Sequence, residues 1–171
     1  EYFILHRECK RFIIRQKSIM NMHTSENKES ITLIWFDPAI GSRKDTERTK
    51  EQLRQINDYV IFHTEISECI TDIQSISEEK IFLITSGAHA PELLIRVHEL
   101  SQIDSIFIFC IKKTKYKDLL NKYSKVIDIF IDRKSLCISI LEQINLVNKQ
   151  LETFSFFDQH QRAIKDLSKQ S

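Results

Sequence analysis

Two short stretches hold the residue types from which a ligand site could be built. "FDPAIGS" (Phe36 to Ser42) and "TSGAHAPE" (Thr85 to Glu92) each follow an apolar run and combine polar side chains with unusual backbone freedom. Pro38 and Gly41 lie in the first, Gly87 and Pro91 in the second, and the chain has no other proline or glycine. A Ser-Gly turn at the entrance to a helix can offer backbone N–H groups to an anion. Asp37, Ser42, Thr85, Ser86, Gly87 and His89 are therefore the candidate ligand-binding residues. The plainer reading of the same residues is a corner: any strand-to-helix turn needs a flexible residue, and Pro91 suits a first helical turn.

More specific chemistries fail on spacing. A Walker loop needs Gly-Lys in GxxxxGK[ST], and no Gly-Lys pair occurs. A dinucleotide fingerprint needs three glycines after the first strand, where only Gly41 stands. There is no GxSxG elbow. His63, His89 and His98 have no His or Cys three or four residues away, so no metal set is expected. Cys110 is expected inside an apolar strand, where burial raises a thiol's pKa and makes it inert. Glu92 reads as an ordinary first-turn carboxylate favoured by the helix dipole. No catalytic residue is assigned.

The elements that would position these residues follow from hydrophobic patterning. Five apolar runs read as strands buried on both faces: "ITLIWF" (Ile31 to Phe36), "YVIFH" (Tyr59 to His63), "KIFLIT" (Lys80 to Thr85), "SIFIFCI" (Ser105 to Ile111) and "VIDIFI" (Val126 to Ile131). Helical patterns separate them. "DTERTKEQLRQIND" opens on Asp45, a capping residue type, with only Leu53 and Ile56 as apolar stripe. "EISECITDIQSI" aligns Ile66, Cys69, Ile70, Ile73 and Ile76. "PELLIRVHELSQI", the shorter "KYKDLLNKY" and the long "KSLCISILEQINLVNKQLETF" complete the set. Alternating strands and helices imply right-handed crossovers and an α/β fold. The expected architecture is a five-stranded parallel sheet, flavodoxin-like or receiver-like, order 2-1-3-4-5, with helices on both faces; a Rossmann half is the rival order. In the 2-1-3-4-5 order the turns after the first and third strands flank the topological switch point, where such sheets leave a crevice.

Bulk properties narrow the classes. The 171 residues suit one domain, 42% are hydrophobic and the net charge is +1, so nothing pulls the chain as a whole toward nucleic acid or membrane. Two basic runs, Arg7 to Lys17 and "KKTKYK" (Lys112 to Lys117), read as solvated surface. A basic docking surface at the second is a weaker alternative. Cys9, Cys69, Cys110 and Cys137 show no CxxC spacing, which fits reduced thiols and a cytoplasmic setting. The expected organisation is an extension over 1–30, an α/β domain over 31–150 and an aromatic, helical linker over 151–171. The extension is read as a docked amphipathic helix or as extra sequence before a natural start near Met20 or Met22. The chain is expected to continue past Ser171. "FSFF" supplies Phe154, Phe156 and Phe157 after the last helix as a candidate interface.

Receiver domains carry an acidic pair after strand one and an aspartate ending strand three; here Asp37 stands alone and Thr85 takes the aspartate's place. Resemblance to receivers is thus one of shape, as is resemblance to Toll/interleukin-receptor-like domains, some of which cleave NAD. From Ile31 to Ser171 the running text, including "ITLIWFDPAIGSRKDTERTKEQLRQINDYVIFHTEISECITDIQSI", "EKIFLITSG", "SIFIFC", "YSKVIDIFID" and "LVNKQLETFSFFDQHQRAIKDLSKQS", resembles the N-terminal module of large bdelloid rotifer proteins. That resemblance implies a leader to an arginine-specific mono-ADP-ribosyltransferase domain, often with tetratricopeptide repeats beyond. The transferase's Arg, Ser-Thr-Ser and Glu-x-Glu signature does not occur in this chain, since Glu78 and Glu79 are adjacent. The expected function is a non-catalytic interaction or regulatory module of a multidomain intracellular protein. No cofactor is expected in this segment, though NAD would serve the parent. The expected partners are the downstream domain or a second copy. The alternative is a small-molecule or nucleotide-binding, or NAD-cleaving, domain using the crevice.

Overall fold

A computed structural model describes residues 31–41 and 44–168. The expectations for residues 1–30, Cys9 and Ser42 lie outside the described residues. Five parallel strands form one sheet in the order β2-β1-β3-β4-β5: β1 (Ile31–Phe36), β2 (Val60–His63), β3 (Lys80–Ser86), β4 (Ile103–Phe109) and β5 (Val126–Phe130). The flavodoxin-like α/β fold expected from the sequence is the fold observed.

The helices are α1 (Lys44–Ile56), α2 (Ile66–Ser75), α3 (Ala90–Val97), α4 (Asp118–Lys122) and α5 (Arg133–Ser168), with a 3-10 turn at Lys113–Tyr116. α3 opens as expected, with Pro91 in its first turn and Glu92 beside it. α5 is fixed at its start by Asp132, whose two carboxylate oxygens accept from Ser135 N–H (2.9 Å) and Ser135 Oγ (2.8 Å). That is the bonding of an N-cap.

Strand pleating divides the core. Ile34 and Phe36 of β1, Ile81 and Leu83 of β3, and Ile106 and Ile108 of β4 pack into one cluster with Cys69, Ile70 and Ile73 of α2, Leu93, Leu94 and Val97 of α3, and Leu119 of α4. The alternate residues Leu33, Trp35, Phe82, Ile84 and Phe107 are buried on the opposite face. There Phe107 packs between Phe82 and Phe130, with ring centroids 5.8 and 6.2 Å away. α1 covers part of this second face, because Lys50 and Arg54 lie over the ring of Phe62, which itself meets Trp35 edge-on.

The structure departs from the sequence reading at β4, α1 and α5, and by one residue at an end of β2, β3 and β5. β4 begins two residues earlier than its apolar run and ends at Phe109. Ile103 pairs with Ile81, and Asp104 is tolerated because the strand is only half-buried there. Cys110 is therefore beyond the strand, and Ile111 is 90% exposed. The buried side of α1 is wider than the two-residue apolar stripe and largely polar: Thr46, Thr49 and Gln52 are buried alongside Leu53 and Ile56. Finally, "FSFF" does not follow the last helix but lies within it. No glycine or proline occurs after Pro91, so nothing in the sequence stops α5.

The chain divides into two compact units, the first ending at Ile138 and the second beginning at Ser139. In the second, Ile140, Leu141, Ile144 and Val147 are buried, while Leu151 and the three phenylalanines are exposed.

Candidate functional site

The turns after β1 and β3 are neighbours, because Phe36 is in register with Thr85. Both ladders run slightly past the strands. Asp37 N–H donates to His63 O (3.1 Å) and Gly87 N–H donates to Phe109 O (3.1 Å). The pleat then separates the candidate residues onto two sides of the sheet. Thr85, Gly87 and His89 belong to the side of the main core cluster, and Asp37 and Ser86 to the side of Trp35.

On the first side the space is filled by the protein. Thr85 is fully buried, and its hydroxyl donates to Ser86 O at 3.4 Å. The ring of His89 meets Phe36 edge-on with centroids 5.8 Å apart. Tyr116 lies over Gly87: a Cβ on Gly87 would sit 2.5 Å from Tyr116 Cε2 and 2.8 Å from Cys110 Cβ. Glycine stands at position 87 because a ring needs the space. Its N–H is spent on the ladder, and the N–H of His89 on Ser86 O (3.1 Å), so neither amide is left to cradle an anion.

On the second side Asp37 is held by its own turn. Asp37 Oδ1 accepts from Ala39 N–H (2.9 Å), and Asp37 O accepts from Ile40 N–H (3.0 Å). Gly41 follows with φ of 90°, a left-handed conformation that favours glycine, and a Cβ there would meet nothing within 4 Å. Here two polar atoms are buried with no hydrogen-bond partner among the described residues: Trp35 Nε1 and Ser86 Oγ. An unmet buried polar atom costs about 1–3 kcal/mol. The sequence reading named Ser86 but not Trp35, whose indole looked like ordinary strand core.

A third grouping escaped sequence reasoning because its members lie on different elements. His63 Nε2 at the end of β2 lies 3.0 Å from Asp72 Oδ2 on α2, off the line of a straight hydrogen bond. Cys69 is one helical turn from Asp72. Burial, with the Asp72 charge adding to it, pushes the Cys69 thiol up to about 12. Cysteine, histidine and aspartate thus come close without making a nucleophile, since the thiolate is what attacks. At Cys110 burial also raises the thiol, against the lowering effects of the Lys112 N–H and the Lys113 charge.

The basic run lies at the crevice end of the sheet through Tyr116, with Lys112, Lys115 and Lys117 exposed. Lys113 is paired: its Nζ donates to Asp128 Oδ1 at 2.7 Å. Among the described residues no cluster of three or more His, Cys, Asp and Glu could hold a metal, and no helix is long and apolar enough to cross a membrane. Comparison with protein-family models, with curated proteins and with solved structures finds no match to this chain.

Proposed function

We propose that the chain is a non-catalytic interaction or regulatory module of a multidomain intracellular, cytoplasmic protein, and that it docks through the aromatic part of α5. The observation that carries this reading is the exposure of Phe154, Phe156 and Phe157, at 73, 58 and 61%. Phe154 and Phe157, three residues apart, share a side of the helix with Leu151. Four large apolar side chains in seven residues form the kind of exposed patch that marks a contact surface. The partner under this proposal is a downstream domain of the same polypeptide or a second copy. The resemblance to leaders of arginine ADP-ribosyltransferases, with repeats beyond, supplies the wider setting, in which NAD belongs to the parent's transferase domain.

The test is hydrogen exchange over residues 151–158, comparing the 171-residue chain with a longer native polypeptide, together with sedimentation of the chain alone. Slower exchange in the longer polypeptide, or a dimer abolished by Phe154→Asp with Phe157→Asp, is expected. Equal exchange together with a monomer at all concentrations overturns the docking role. Release of nicotinamide from NAD by this chain would overturn the non-catalytic one.

A further inference from the structure

We propose a small-ligand site at the switch point, on the Trp35 side of the sheet, formed by Trp35 Nε1, Ser86 Oγ and the Asp37 carboxylate, for a neutral polyhydroxylated molecule such as a sugar or polyol. It is independent of the docking role of α5.

Trp35 is 97% buried, since 3% of it is exposed, and its Nε1 has no partner among the described residues. An indole N–H can only donate, so what it lacks is an acceptor. Ser86 Oγ, on the adjacent strand and the same side, is likewise buried without a partner. Trp35 is in register with Ile84, which puts Ser86 one strand across and two residues along. Those steps, about 4.8 Å and about 6.6 Å at right angles, make a diagonal of about 8 Å between Cα atoms, a separation an aromatic side chain can reach across. Asp37 is next to Ser86 across the same pair of strands, one place beyond the Phe36–Thr85 pair. Its Oδ1 is committed to Ala39, and its carboxylate remains half-exposed.

These three groups select the ligand. A phosphate or carboxylate would accept from Trp35 and Ser86 but would meet Asp37 as a like charge. A hydroxyl both accepts and donates, so adjacent hydroxyls satisfy the indole, the serine and the carboxylate together. The apolar neighbours on this face, Leu33, Phe82, Ile84 and Phe107, together with a few polar groups, are the composition that small-ligand sites use. The approach under this proposal is from the turn at Gly41, where an added Cβ would meet nothing within 4 Å. The opposite side of the switch point is taken by Tyr116, which makes this side the one that remains for a ligand.

Trp35 is the only tryptophan in the chain, so a single indole resonance reports on the site. The experiment titrates the 15N-tryptophan-labelled 171-residue chain with D-ribose, with myo-inositol and with inorganic phosphate. A saturable shift of the indole resonance with ribose or inositol and none with phosphate is expected. Ser86→Ala and Asp37→Asn should each weaken that response tenfold or more while leaving the far-ultraviolet spectrum unchanged. A response to phosphate alone would show an anion site and overturn the proposal. No response to either polyol, with a persistent exchange cross-peak between the indole N–H and water, would show a buried water only and overturn it too. Should either variant unfold, Ser86→Thr, which keeps the hydroxyl, must retain the polyol response; its failure to do so in a folded protein also counts against the site.

Discussion

Tyr116 lies against Gly87 so closely that a methyl group on the glycine would stand 2.5 Å from ring atom Cε2. Two stretches that are unrelated in sequence, the Ser-Gly turn after β3 and the lysine-rich turn after β4, are thereby one surface. Gly87→Ala should lose about 1–3 kcal/mol, the usual range for overpacking a filled site. Adding Tyr116→Ala should restore part of the loss only, because Cys110 Cβ is also 2.8 Å away. Urea unfolding of the single and double variants measures both.

Asn57 should be among the costliest polar side chains to truncate. It is buried, and its Nδ2 donates to Ile31 O and Tyr59 O, each at 2.9 Å. Those bonds tie the start of β1 to the entry of β2. Asn57→Ala removes a donor from Ile31 O and from Tyr59 O, the latter still accepting from Leu33 N–H, and should cost about 1–3 kcal/mol. Asn57→Asp leaves only acceptors facing acceptors once ionised, so that variant should lose further stability as pH rises through the carboxylate range. Thermal melts at pH 4 and pH 7 will show the order.

The Lys113–Asp128 pair sets a small acid-side dependence. Burial pushes the Asp128 carboxyl up, but the hydrogen bond from Lys113, the Ile129 N–H and the Lys113 charge outweigh it and hold it below its ordinary value. A carboxyl depressed in the folded state stabilises above its unfolded value and loses that contribution as pH falls through the folded one. Both side chains are about two-fifths exposed, so solvent screens the pair. Asp128→Asn should remove no more than about 1 kcal/mol at pH 7 and flatten the stability curve below pH 4. Denaturation midpoints from pH 3 to pH 7 test it.

Thiol reactivity should follow burial. Cys69 and Cys137 are fully buried, and the Cys69 thiol is held at about 12. Cys110 is half-buried at the end of β4. Alkylation at pH 8, read by mass spectrometry of peptides, should modify Cys110 first among the three described cysteines. Cys69 and Cys137 should react only as fast as the protein opens. Modification of native Cys69 at the Cys110 rate would contradict the packing of α2.

Phe107 and Phe157 should differ sharply although both are phenylalanines in apolar company. Phe107 is fully buried between two rings, and Phe107→Ala should cost about 3–5 kcal/mol. Phe157 is 61% exposed, and Phe157→Asp should change stability by no more than about 0.5 kcal/mol. Chemical denaturation distinguishes the two.

What the amino-acid sequence by itself determined was the sheet. Continuous Ile- and Phe-rich runs spaced by amphipathic helices leave a doubly covered parallel sheet as the solution, because each run is apolar on both faces of its pleat. Right-handed crossovers acting on those runs allow both the order 2-1-3-4-5 and a Rossmann half; the tertiary structure chose the first and with it the adjacency of the Asp37 and Ser86 turns. Only the tertiary structure decided which side of the sheet each candidate serves. Local composition grouped Thr85, Ser86, Gly87 and His89 as one turn, but a pleat of period two sends neighbours to opposite faces. One face there received Tyr116 from a segment 29 residues away, and the other kept two buried polar atoms unmet. Neither outcome is written in local spacing, because both depend on which distant side chain arrives to fill the space.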